Sequence, residues 1–166
     1  LSQHPEARER VEQEADALQG RQATYDDLES LGFTNRVVRE TLRLYPPAWG
    51  TGRECAEEDV IDGYRIPVKS IMTTLFFVTQ KHPDFWGEPE RFDPDRFLPE
   101  HSVDRPAEAW CPFGLGGRSC IGEDFALMEA TIAIATLAQQ LELRLEPGAQ
   151  VEGRVFGIGP LRPVGG

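Results

Sequence analysis

Ten residues, Phe113-Gly114-Leu115-Gly116-Gly117-Arg118-Ser119-Cys120-Ile121-Gly122, set one cysteine in a glycine-lined bend, two residues after an arginine and just ahead of a long apolar-periodic stretch. Glycine adopts backbone conformations that other residues avoid, and it lets main chain pass close beneath a flat ligand. The periodic stretch predicts a helix beginning at the cysteine. Its amino end, with unpaired N–H groups and a partial positive charge, would face the sulfur and favour negative charge there. The pattern therefore points to a thiolate that holds a metal on an open face. Rival readings fit less well. Gly114-Leu115-Gly116 begins like a dinucleotide loop, but its third glycine falls at Ser119, and Trp110-Cys111-Pro112 makes a poor preceding strand. Cys111 and Cys120 are badly spaced for a zinc knuckle, and no second pair follows. The bland alternative is an ordinary packed thiol.

Arranged as Phe-x-x-Gly-x-Arg-x-Cys-x-Gly, the loop resembles the haem-binding segment of the cytochrome P450 family, with Phe113, Gly116, Arg118, Cys120 and Gly122 at its defining positions. The resemblance implies haem b as cofactor and Cys120 as the axial iron ligand, a thiolate that pushes electron density to favour O–O cleavage. It also implies that Arg118 pairs with a haem propionate. Phe113 would shield the sulfur, and Gly116 and Gly122 would admit the backbone N–H groups that tune it.

Two further motifs precede the loop. Glu40-Thr41-Leu42-Arg43 spaces two opposite charges by three residues, on one helical face. Alone, such a pair is usually a solvated surface contact. Tyr45-Pro46-Pro47 closes the helix that carries it. Phe85 to Phe97 is irregular, because Pro89 and Pro94 interrupt any period. By resemblance this is the family's meander, with Pro94-Asp95-Arg96-Phe97 in place of Pro-Glu-Arg-Phe; Asp95 stands where glutamate is common. Arg96 would then join Glu40 and Arg43 in a buried charge triad locking the core around the haem. Arg91, in a similar Pro-Glu-Arg-Phe string, is the alternative third member; spacing from Trp86 favours Arg96. Arg53, following Leu44-Tyr45-Pro46, takes the place of a second propionate-binding arginine, or else is an ordinary strand-end arginine.

The remaining chain gives a coarse outline. Residues 1–18 mix charges with sparse apolar residues, as on an exposed helix with intrahelical pairs. Thr24, three residues before Asp27, marks a helix start, and a helix is predicted from Leu31 to Leu44. Val60-Ile61-Asp62-Gly63-Tyr64-Arg65-Ile66 reads as a hairpin about Asp-Gly. Ser70 to about Val78 is rich in β-branched and aromatic residues and predicts a buried strand. After the loop, Leu127, Ala130, Ile134, Leu137 and Leu141 form an apolar stripe, with Glu123 and Asp124 in the first turn. Short strands are predicted over 151–161. The expected fold is mainly α with small β-sheets (α+β), the C-terminal portion of the cytochrome P450 fold, with residues 1–166 part of a single domain.

A net charge of −11 argues against nucleic acid and anionic membrane surfaces. No apolar run is long enough to span a bilayer. With no signal-peptide pattern, the cysteines read as reduced thiols in a cytoplasmic protein, Cys55 and Cys111 packed or free. Leu1 falls inside a helical pattern, so the chain is expected to be a fragment without the upstream oxygen-activating helix. The resemblance implies a monooxygenase inserting one atom of O2 into a small apolar substrate, a terpene or fatty acid. Electrons would come from NAD(P)H through a flavoprotein or ferredoxin partner. Ala48-Trp49-Gly50-Thr51-Gly52 and the turn near Phe156-Gly157-Ile158 would line the substrate pocket, although Trp49 reads equally as core packing. The alternatives are a haem-binding sensor without oxygenase activity and an inactive truncated product.

Overall fold

A computed structural model describes residues 1–155 and 159–164. Helices α1 (Pro5–Asp16), α2 (Gly32–Leu44), α3 (Phe76–Thr79) and α4 (Glu123–Gln140) surround the buried interior, with three antiparallel two-stranded ribbons at its edge. The fold is α+β.

Helix α1 opens with proline at its first turn, where the missing N–H costs nothing. The expectation of an exposed helix is corrected here: Ala7, Val11 and Ala15 are buried. Their spacing of four aligns three small apolar residues on one face, and that seam suffices for packing while charges fill the remainder. Ala7 and Val11 meet Phe33 and Val37 of α2, with Ile134 and Ala138 of α4 against them. A second cluster joins Leu18, Ala23, Leu31 and Ala135. Complete burial of side chains such as Val11 and Leu31 stabilises by about 1.5–3 kcal/mol each.

Helix α2 follows its predicted limits within a residue. Its amino end is satisfied from α1. The Glu14 carboxylate accepts the Phe33 and Thr34 N–H groups at 2.7 and 2.8 Å, and the Thr34 hydroxyl at 2.7 Å. A carboxylate there pairs orphan donors and answers the positive end of the helix. Upstream, the predicted start at Thr24 is a single 3-10 turn, Tyr25–Asp27, closed by a reciprocal capping box.

Helix α4 contacts both α1 and α2. Its buried face is Leu127, Thr131 and Ala135, not the full predicted stripe; Leu137 and Leu141 are exposed. A helix wedged between two others buries the line facing both, and small residues there permit close approach. Thr131 is satisfied by donating to Leu127 O at 2.7 Å and accepting from Asn35 Nδ2 at 3.2 Å.

The hairpin forms as predicted: β2 (Asp59–Ile61) pairs with β3 (Tyr64–Ile66), with φ of 50° at Asp62 and 80° at Gly63 in the turn. The buried strand over 70–78 does not form. Instead β4 (Ile71–Thr74) pairs with β1 (Thr51–Glu54) as a mostly exposed ribbon, after which the chain turns into α3 and buries Phe76. A ribbon of two strands has no second layer to bury both faces, so β-branched composition alone does not decide burial. Near the end of the chain, β5 (Glu152–Val155) pairs with β6 (Leu161–Val164). No helix among the described residues is long and apolar enough to cross a membrane.

Candidate cofactor site

The cysteine loop lies between the carboxyl half of α2 and the amino half of α4. Cys111 O accepts the Gly114 N–H at 3.0 Å, Gly116–Arg118 forms one 3-10 turn, and the Cys120 N–H closes the loop on Phe113 O at 2.8 Å. Gly114 and Gly116 have φ of 78° and 67°, a left-handed backbone that an L side chain resists by about 1–2 kcal/mol. At Gly114 the space itself is not limiting, since an added Cβ would meet ordinary contacts of 3.8–3.9 Å. The helix begins at Glu123 rather than at the cysteine, with Gly122 as its cap, so Cys120 stands just ahead of the amino end. A Cβ at Gly122 would lie 3.7 Å from the Cys120 sulfur.

Cys120 is exposed, and it opens onto an apolar cleft of about 380 Å³. Val38 and Leu42 come from α2, Ala126 and Ala130 from α4, Phe76 from α3, and Ala48, Phe113 and Cys120 from loops. Phe113 stands edge-on to Trp110, ring centroids 6.1 Å apart. Arg118 is exposed on the same loop and forms no ion pair among the described residues. Arg53 is exposed on β1, where it donates to Thr51 Oγ1 at 2.8 Å and Gly52 O at 2.9 Å, and it does not line the cleft. Of the predicted substrate segment, Ala48 reaches the cleft. The Trp49 indole N–H donates to Gly159 O at 3.0 Å and so serves packing. Phe156-Gly157-Ile158 lies outside the described residues.

Behind the cleft, Glu40 and Arg43 are wholly buried and bidentate, with N–O distances of 2.7 and 2.8 Å. Arg43 also donates to the carbonyls of Gln80 (3.0 Å), Pro89 (2.7 Å) and Arg91 (3.2 Å). Glu40 accepts the Asp93 N–H at 2.8 Å, and the Arg96 Nε lies 3.6 Å from it. Arg96 donates to the Gly87 and Glu88 carbonyls. The Arg91 side chain instead pairs with Glu88 on the surface. The structure thus brings Glu40, Arg43 and Arg96 together. Trp86, buried beneath Arg43 and Arg105, donates its indole N–H to Ala109 O at 3.2 Å. Arg39, whose guanidinium is 5.0 Å over Trp110, has its pKa lowered by desolvation, which Glu123 and Asp124 partly oppose. Burial raises the pKa of the Cys111 thiol.

Sequence patterns missed Gln80, which is fully buried between α2 and the cysteine loop. No local signal marks it, because its partners lie more than thirty residues away on either side.

No cluster of three or more His, Cys, Asp or Glu residues that could hold a metal ion is found among the described residues. Cys120 therefore lacks companions for a protein-only tetrahedral site. A single soft sulfur, an apolar wall and an arginine without an ion pair fit a group that brings its own equatorial donors and its own acids. Haem b is such a group.

Comparison with known proteins defines the class. The family profile for Cytochrome P450 matches residues 1–159. Pentalenene oxygenase from Streptomyces avermitilis is 40% identical over 152 residues, 91% of this chain and 34% of that protein. Cyclooctatin synthase from Streptomyces melanosporofaciens is 37% identical over 168 residues, 99% of this chain and 37% of that protein. A solved structure described as retinoic acid bound cyanobacterial CYP120A1 superposes with a TM-score of 0.90 at 36% identity, covering 98% of this chain and 38% of that one. The chain belongs to the cytochrome P450 family, whose members bind haem b. It spans about a third of the length of the relatives it matches.

Proposed function

We propose that the whole protein is a haem-thiolate monooxygenase, with residues 1–166 the C-terminal part of its single catalytic domain. One observation carries this reading: an exposed cysteine sulfur, on a glycine-turned loop, faces a cleft walled by aliphatic and aromatic side chains. A haem bound there supplies reductive activation of O2 and delivery of one oxygen atom into the substrate. Cys120 would hold the iron, and Phe113 would restrict water at the sulfur. Arg118 and Arg53 would pair with the propionates, Arg53 only after giving up its present bonds within β1. Val38, Leu42, Ala126 and Ala130 exclude water from the protein side, where a charge-neutral wall favours a flat apolar ring. Glu40, Arg43 and Arg96 tie α2 to the irregular segment ahead of the loop.

The likeness to pentalenene oxygenase and cyclooctatin synthase supports a terpene-like substrate ahead of a fatty acid. Electrons reach such a site from NAD(P)H through a flavoprotein or ferredoxin, and the protein works in the cytoplasm. The test is a reduced carbon-monoxide difference spectrum on the whole protein beside Cys120→Ser. A thiolate-type Soret band in the wild type, lost in the variant, is expected; an unchanged band in Cys120→Ser removes the ligand assignment. Product formed with a reductase pair distinguishes an oxygenase from a haem sensor, which binds without turnover.

A further inference from the structure

The Gln80 side chain joins three buried backbone groups that have no place in any helix or strand ladder. Its Nε2 donates to the Leu42 and Arg43 carbonyls at 3.0 and 3.2 Å. These belong to the last turn of α2, whose carbonyls have no intrahelical partner. Its Oε1 accepts the Cys111 N–H at 2.9 Å. From Cys111 the connection runs on through the loop: Cys111 O holds the Gly114 N–H, and Phe113 O holds the Cys120 N–H. One amide therefore spans from the helix carrying Glu40 and Arg43 to the base of the loop carrying Cys120. Gln80 itself is fixed from below, because its own carbonyl accepts Arg43 Nη1 at 3.0 Å.

We propose that Gln80 is a positioning residue for the Cys120 sulfur, setting its distance from the α2 wall through the Cys111 N–H. This rests on the reading of Cys120 as the haem ligand. The chemistry needs a donor edge and an acceptor edge on one rigid side chain, with a reach of three carbons from Cα to the amide. Glutamine supplies both. Methionine matches its size and supplies neither. A neutral histidine has one ring N–H and one bare ring nitrogen, enough for one of the two carbonyls and the Cys111 N–H. The substitution leaves the backbone bond to Arg43 in place, which separates this role from that of the charged pair.

The experiment compares Gln80→Met, Gln80→His and Cys120→Ser in the whole haem-loaded protein, and measures amide hydrogen exchange in the haem-free form. Gln80→Met is expected to retain haem roughly tenfold less tightly, the scale of losing a metal ligand's supporting contact. It should also shift its reduced carbon-monoxide band away from the thiolate position and speed exchange at Cys111 and Cys120. Gln80→His is expected to restore all three. A folded Gln80→Met with wild-type haem retention and band overturns the proposal. So does a folded Gln80→His that behaves like Gln80→Met. Should Gln80→Met fail to fold, restoration by Gln80→His decides in favour. Loss of the band in Cys120→Ser alongside an unaffected Gln80→Met sinks only this inference, whereas an unaffected Cys120→Ser sinks the ligand reading beneath it.

Discussion

Replacing Glu40 by glutamine tests the interior most directly. The carboxylate takes two bonds from Arg43 and one from the Asp93 N–H, and neither Glu40 nor Arg43 has any exposed side-chain surface. An amide keeps one acceptor but turns an NH2 group toward a guanidinium and leaves a buried cation without its counter-charge. Removing one partner of a buried pair costs about 3–5 kcal/mol. Against a usual total stability of about 5–15 kcal/mol, that is a large fraction. The double variant Glu40→Leu/Arg43→Met removes both charges, yet it strands the Gln80, Pro89 and Arg91 carbonyls and the Asp93 N–H. Each stranded group costs at least about 1 kcal/mol, so the double variant is still less stable than wild type. Its loss should nevertheless fall short of the sum of the two single losses by up to about 3 kcal/mol. Urea unfolding of the whole protein, followed by circular dichroism and by fluorescence that includes Trp86, measures Glu40→Gln, the double variant, and Glu40→Leu and Arg43→Met singly. A loss below about 1 kcal/mol for Glu40→Gln, the range of an exposed pair, would refute the argument.

Glu14→Ala should destabilise the protein by about 1–2 kcal/mol, because three donors at the start of α2 lose their acceptor; faster hydrogen exchange confined to the first turn of α2 checks it. The Asp27 carboxyl is held well below the ordinary range, chiefly by the Arg21 guanidinium and then by the Thr24 N–H. A depressed carboxyl adds stability that is fully present above its unfolded pKa of about 3.9 and fades as pH falls toward its folded value. Asp27→Asn should therefore be less stable than wild type at pH 6 and lose that disadvantage in strong acid. A urea midpoint difference that stays constant from neutral to acid pH contradicts the assignment.

Features whose cause is local were readable from the chain. Helix α2 is bounded by its own apolar period and by Pro46-Pro47, and the hairpin turn by Asp62-Gly63. The pairing of Glu40 with Arg43 follows from their spacing; its complete burial does not. Spacing from Trp86 favours Arg96 over Arg91, whereas the path that Pro89 and Pro94 give the backbone, which brings the Arg96 guanidinium to Glu40, is visible only in the fold. The exposed ribbon over 71–74 escaped because β-propensity reports a pleated surface without saying what covers it. Helix α4 buries Leu127, Thr131 and Ala135 because two helices press on it, a fact absent from its own sequence. Gln80 and Glu14 are informative only through partners tens of residues distant, so neither carries a motif.

Arg43 spends every one of its five N–H groups, on a carboxylate from its own helix and on carbonyls at 80, 89 and 91. The last two belong to a stretch without regular hydrogen bonding of its own, so that stretch borrows its shape from side chains: Arg43, Arg96 on the Gly87 and Glu88 carbonyls, and Glu40 on the Asp93 N–H. Such a segment has no half-formed state worth populating: it is clasped entirely or released entirely. Proteases and solvent should accordingly find residues 87–93 either closed to them or wholly open, with the end of α2 loosening at the same moment.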